Sequence, residues 1–456
     1  MKSVFVWLFA LVLLSGCSAT STVIKSEKER ELHQAVQQYP NDTQALLDLT
    51  QYQLEQYDKS PEPKALLPLL ANLNKLVDKL PNNRMVVYRY YRLNLLQGIA
   101  QQSYDVDRWN AFYQQHPFLS TIDLAPPDYI PVLLEQVSGA AKIAALQRSL
   151  RANPNFVAPY RVLAEMYYVA DKAELAIYLL NAAANLEKDQ GQSLAMLNYV
   201  RMEQIEAKMC EWDMSASTQL AFTEAKQLTK LNPKYADFQF RLANIMRHLG
   251  KFPLSVFSAK KAAALDPQHQ SFLLESYFWN NNLDKVYAEI ERSGRERIDS
   301  WSLHVIIYSY LVEGKWQAAA NLTEHYITRP EYSFYGVLYG SYGYLMLDQA
   351  ERARTLLNSG LNNLTLSSWQ HSMLAFAQGQ LEETALLQRA GNRCEESEGR
   401  FLLALDKQLR GDEAGRQAEF NKILALDVKA FFEYAAARNM LKRMQQSRDA
   451  FVNTGI

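Results

Sequence analysis

Pro233 and Pro267 stand 34 residues apart, and the residues between them restrict the fold more than any other feature of the chain. Leu242-Ala243, Met246, Gly250, Ser255, Ala259 and Ala262 supply, in order, a large-small pair, a bulky residue, a glycine and three small residues. Two antiparallel helices approach closely only where one offers small side chains to the large ones of the other, and the turn joining them needs a residue that accepts left-handed backbone. The spacing therefore predicts a helix ending near Gly250 and a return helix closing at Pro267, with Ala243 and Ser255 at the contact. A second unit follows Asn153-Pro154, with Tyr160, Leu163-Ala164, Tyr167, Ala176, Leu180 and Ala183 in the corresponding places.

These two units are similar to tetratricopeptide (TPR) repeats, whose period is about 34 residues. The resemblance implies an all-α fold: a TPR-like helical-repeat solenoid, a right-handed superhelix of antiparallel helix pairs. Weaker copies keep the register at Ile306-Ile307, Tyr310, Gly314 and Ala319, then at Tyr344, Asp348, Ala353, Leu357 and Gly360, then at Leu403-Ala404, Gly411, Phe420 and Ile423. Residues 192–231 form a further pair with a longer loop. Pro117, Asp123 and Pro126-Pro127 interrupt any helix and place a boundary near residue 128. The expected organisation is a signal peptide over 1–16, a lipidated tether over 17–26, a degenerate N-terminal helical region over 27–128 and the TPR-like superhelix over 129–456. Gly336, Gly340 and Gly343 cluster in one stretch, and close packing of one helix on its neighbour accounts for them.

Composition agrees with helices and narrows the partners. The 456 residues carry only 17 Gly and 15 Pro, and 48% of them are hydrophobic, which excludes disorder and collagen-like structure. Lys and Arg number 48 against 49 Asp and Glu, a formal charge of -1. Nucleic acid is thereby excluded as the main partner, because phosphate binding needs concentrated positive charge.

The first residues point to a compartment. Lys2 precedes an apolar run from Val4 to Leu14, which suits a secretory signal but is too short to span a bilayer. Leu14-Ser15-Gly16-Cys17 resembles a bacterial lipobox. That resemblance implies cleavage before Cys17, a diacylglycerol and an N-acyl chain on that residue, and, with Ser18 rather than Asp next, sorting to the outer membrane. A chain of this kind faces the periplasm and meets the membrane through its lipid anchor only. Cys210 and Cys394 are the remaining thiols; neither has a CxxC neighbour, and two separate cysteines is the favoured reading, with a bridge between them as the alternative.

No motif carries chemistry. The seven histidines include no HExxH, and the chain lacks GxGxxG, GxxxxGK[ST] and GxSxG, so neither a metal site nor a phosphate turn nor a hydrolase elbow is supported. No metal, cofactor or catalytic residue is expected. The resemblance to TPR proteins instead implies a concave groove lined by the first helix of each pair. Carried over, it selects Arg161, Glu165 and Tyr168, then Asp237, Phe240, Asn244 and Arg247, then His304 and Tyr308, then Leu338 and Tyr342. Rings beside Asn and Arg suit an extended peptide segment. The expected function is a non-catalytic scaffold for envelope proteins, first in assembly of a pilus or secretion machine. Exopolysaccharide export and service to cell-wall enzymes are alternatives, with a peptidoglycan-active enzyme behind them.

Overall fold

The structure, a computed structural model, describes residues 26–187, 191–293, 300–327 and 333–454. The expected signal peptide and Cys17 lie outside the described residues. Within them are 24 α-helices and no strand. The chain divides into two compact units, Met1–Gln190 and Gly191–Ile456.

The first unit holds α1 (Glu27–Gln38), α2 (Thr43–Lys59), α3 (Pro63–Lys79), α4 (Arg84–Ala100) and α5 (Val106–Gln115), followed by a short α6 (Ile130–Leu133). It closes with α7 (Gly139–Ala152), α8 (Ala158–Val169) and α9 (Ala173–Leu186). The interruption at residues 117–128 forms two 3-10 turns, Pro117–Thr121 and Pro127–Tyr129. Buried side chains hold this segment between helices. Asn153 donates to the carbonyls of Ile122 (2.8 Å) and Leu124 (2.9 Å), and the Tyr91 hydroxyl donates to the Ala125 carbonyl at 2.7 Å. Lacking helical partners, these carbonyls would be costly to bury unpaired. The prolines thus bend the chain inside one unit, and the division between units falls at Gln190, well beyond residue 128.

The second unit runs through α10 (Gly191–Lys208), α11 (Ser215–Leu231), α12 (Ala236–His248), α13 (Phe252–Leu265), α14 (Gln270–Trp279) and α15 (Leu283–Ser293). It continues through α16 (Ser300–Glu313), α17 (Trp316–Ile327), α18 (Ser333–Leu345), α19 (Ala350–Asn363), α20 (Ser368–Ala377) and α21 (Glu383–Gln388). It ends with α22 (Arg393–Leu409), α23 (Glu413–Ala425) and α24 (Phe432–Thr454). Each helix packs on its successor in the chain, and the leading helices α12, α14, α16, α18, α20 and α22 pack each on the next. This is the arrangement of a TPR-type helical-hairpin array.

One backbone device recurs at seven of the turns between paired helices. Gly250 (φ 70°), Gly314 (φ 66°), Gly379 (φ 75°) and Gly411 (φ 73°) sit in left-handed backbone between the two helices of a pair, and Asp171, Asn281 and Asp348 hold the same place at φ 57° to 58°. The N–H of the following residue closes the turn onto the carbonyl five positions earlier, as in Lys251 to Met246 (2.8 Å), Asn282 to Tyr277 (2.9 Å) and Gln349 to Tyr344 (2.9 Å). Glycine meets no Cβ penalty there, and Asp and Asn are the side chains that tolerate it best.

The small residues do what the spacing requires. Ala243, Ala259 and Ala262 are fully buried, and the Ser255 hydroxyl donates to the Ala243 carbonyl at 2.8 Å across the hairpin. Gly343 lets α18 lie directly against α17: a Cβ there would stand 2.9 Å from both the Ala320 nitrogen and the Trp316 carbonyl oxygen.

One expectation is corrected. Cys210 and Cys394 are not separate thiols but a disulfide with Cα atoms 5.1 Å apart. Folding of the intervening hairpins returns the start of α22 to the loop between α10 and α11. Beside the bridge, the Arg393 N–H donates to the Cys210 carbonyl at 3.0 Å. The Arg393 guanidinium reaches the carbonyls of Met209 (2.7 Å) and Trp212 near the end of α10, which have no helical donor of their own.

Candidate functional site

The groove stripe named from the repeats divides into three situations. In the first unit, Arg161 pairs with Glu187 at 2.6 Å, Tyr168 is half-buried and Glu165 is exposed. These three are on α8, accessible from solvent.

On α12 the stripe is engaged within the protein. Asp237 stays largely open, 3.2 Å from His269, and Phe240 packs against the rings of His269 and Phe272. Asn244 donates to Glu206 at 2.7 Å and accepts from Arg247 at 2.7 Å. Arg247 is ion-paired with Glu275 and lies over the rings of Phe272 (5.4 Å) and Trp279 (5.1 Å). Burial pushes its guanidinium down to about 10, with the nearby Glu206 carboxylate opposing that shift. Arg247 is therefore a packed structural cation, not a free clamp for a ligand carboxylate.

On α16 and α18 the expectation is overturned. Leu338 and Tyr308 are fully buried, Tyr342 is 1% exposed and His304 5%. They line no open groove: α24 covers His304 and Tyr308, and Tyr342 faces Asp406 of α22 and Arg410 just after it. Helix α24 packs against α14, α16 and α22, as well as its neighbour α23. Phe432 lies against His304 (ring centroids 4.5 Å) and Tyr308 (5.2 Å). The hydroxyls of Tyr308 and Tyr339 both donate to the Glu433 carboxylate, and Glu433 is 1% exposed. Farther along α24, Arg438 donates to the Trp279 carbonyl and Asn439 to the Phe278 carbonyl, each at 2.8 Å. These are carbonyls of the last turn of α14, beyond the reach of its own N–H groups, and that of Phe278 also accepts the turn N–H of Asn281 at 2.9 Å. The Arg443 guanidinium reaches Glu313 near the end of α16 at 3.0 Å.

A second carboxylate completes the buried cluster. Glu398 accepts from the Tyr335 hydroxyl (2.8 Å) and the Trp369 indole N–H (2.6 Å). Desolvation, reinforced by the charge of Glu433, holds its carboxyl well above the usual range, and burial raises Glu433 as well. Burial keeps His304 neutral, with its imidazole pushed down to about 3. The cluster is a packed polar network enclosed by rings, and its chemistry is hydrogen bonding between helices. Among the described residues no group of three or more His, Cys, Asp or Glu is placed to hold a metal ion, and no helix is long and apolar enough to cross a membrane.

No family model matches this chain, and no curated protein matches it. Among solved structures it is similar to a tetratricopeptide repeat protein from Parabacteroides merdae, with 10% identity over 59% of this chain and 97% of that one and a TM-score of 0.40. Yeast Tom70 shows 10% identity over 93% of this chain and 87% of its own, with a TM-score of 0.33. The Naa15/Naa10 complex bound to HypK shows 15% identity over 92% and 79%, with a TM-score of 0.32.

Proposed function

We propose that this chain is a non-catalytic protein-interaction scaffold, held by lipid on Cys17 to the periplasmic side of a bacterial outer membrane, where it serves the assembly of a pilus or secretion machine. The observation that carries the scaffold reading is the way α24 is received. Inner-face side chains of α16 and α18 take up an amphipathic helix through rings, a buried carboxylate and capped helix ends, which is the helix-in-groove mode of recognition used within one chain. Each unit keeps a face for other proteins: on the first, α8 with Arg161 and Glu165, and on the second, α12 with Asp237 and Phe240.

The Cys210–Cys394 bridge supports a compartment outside the cytosol, since cytosolic thiols are kept reduced. It also leaves Cys17 as the one thiol without an assigned partner in the chain, which suits its acylation. Cys17→Ala tests the anchor: the protein should move from the membrane to the soluble periplasmic fraction, and unchanged fractionation would remove the anchoring claim. Crosslinking in the native envelope tests the machine, since recovery of pilus or secretion components is expected and recovery of polysaccharide-export proteins alone would reassign it.

A further inference from the structure

The charge balance of the whole chain suggests a surface without a basic patch, yet two neighbouring helices carry one. On α11, Leu220 and Leu231 are about half exposed, and on α13 so are Leu254, Phe257 and Leu265, all between 44% and 58%. Steps of three and four along α13 set Leu254, Phe257, Lys261 and Leu265 on one stripe facing away from the buried Ser255, Ala259 and Ala262. The start of α13 comes close to α11: Lys226 of α11 and Lys251, just before α13, both sit over the ring of Phe222, at 5.5 Å and 4.3 Å.

Every exposed charge on these helices is positive. Lys226 and Lys230 stand on α11, Lys260 and Lys261 on α13; the one acidic residue of the pair, Glu224, is buried against Arg201 at 2.9 Å. None of the exposed cations is arginine. That composition separates two occupants. Protein interfaces favour Arg, whose planar fork pairs with carboxylates, and are depleted of Lys. A bilayer surface accepts Lys as readily as Arg, since its flexible apolar stem lets Leu and Phe enter the interfacial region while the ammonium stays with the headgroups.

We propose that the exposed face of α11 and α13 rests on a bilayer surface carrying anionic headgroups. Leu254, Phe257 and Leu265 enter the headgroup boundary, and Lys226, Lys230, Lys260 and Lys261 hold the anionic phosphates. Lys261, 4.4 Å above the exposed Phe257 ring, keeps its charge beside it. The contact is separate from acylation of Cys17: it would fix which side of the second unit faces the membrane, whereas the lipid fixes only that the chain is tethered.

The test is a bimane label at Phe257→Cys in the full mature protein, compared with the same label at Thr355→Cys on α19. Both are mixed with vesicles of phosphatidylcholine, with or without phosphatidylglycerol, that contain a lipid-borne quencher. Mass spectrometry of the Cys17 peptide reports the anchor independently. Quenching at position 257 is expected to exceed that at 355 about threefold or more in phosphatidylglycerol vesicles. Lys260→Glu with Lys261→Glu should lower vesicle partition at that face at least about tenfold. Equal quenching at the two positions, or equal quenching at 257 with and without phosphatidylglycerol, would overturn the proposal. A label at 257 shielded before vesicles are added would also overturn it, making the face a contact with a second copy or another protein.

Discussion

Asn439, on the C-terminal helix, donates its side-chain N–H to the carbonyl of Phe278 at 2.8 Å, across 161 residues of chain and away from solvent. The bond joins α24 to the end of α14 and marks where a groove open to partners would otherwise lie. Asn439→Ala removes one of the bonds to that buried carbonyl, which keeps the turn N–H of Asn281, at a cost of about 0.5–1.5 kcal/mol. Urea unfolding followed by circular dichroism should show this loss. Arg354→Ala, which removes an exposed pair with Glu351, should leave stability unchanged.

Reduction of the Cys210–Cys394 bridge frees a loop of 184 residues in the unfolded chain. Replacing both cysteines with alanine should cost about 2–5 kcal/mol and make the melting temperature insensitive to dithiothreitol. A wild-type melting curve identical with and without reductant would contradict the bridge.

Burial of the Glu398 carboxyl makes the folded state less stable as pH rises. Its folded value is raised above 4.5, so the folded state holds a proton the unfolded chain has released. Its favourable contribution is complete below about pH 4.5 and is lost as pH rises through the raised value. Glu398→Gln removes that proton dependence while keeping an acceptor for Trp369. The variant should gain stability relative to wild type at pH 8 compared with pH 5, measured by urea midpoints at the two pH values.

Gly250 occupies φ 70° at the turn of the clearest repeat, where alanine would carry the left-handed penalty of about 1–2 kcal/mol. Gly250→Ala should lower the melting temperature. Asn281→Gly, at the equivalent turn, should be tolerated.

How much of this was legible in the sequence follows from range. The hairpins were legible because their signals are local: Ala243 against Ser255 and Gly250 between them lie within one repeat. Asp171 and Asn281 also had a local signal as turn residues: Asp171 stands 17 residues after Pro154, as Gly250 does after Pro233, and Asn281 stands 33 before Gly314. The groove was misjudged at Tyr308, Leu338 and Tyr342 because a repeat template places side chains on a helix face without saying what covers that face. The cover over Tyr308 is α24, more than a hundred residues later in the chain, and the groups facing Tyr342 come from the end of α22. The signal of α24 was there in Glu433, the Ala435-Ala436-Ala437 run and Asn439, a pattern of small and polar residues on one helix that only a close neighbour would require. The disulfide escaped for the same reason, since the return of α22 to the α10–α11 loop is set by every hairpin between.

Other proteins are expected to meet the first unit on the face of α8 that carries Arg161 and Glu165. Photo-crosslinking in the native envelope from a benzoylphenylalanine placed at Glu165, with Thr355 as the comparison position, tests it most directly. The account predicts discrete adducts with an envelope protein from Glu165 and none from Thr355. The same adducts from both positions, or adducts from Thr355 alone, would contradict it.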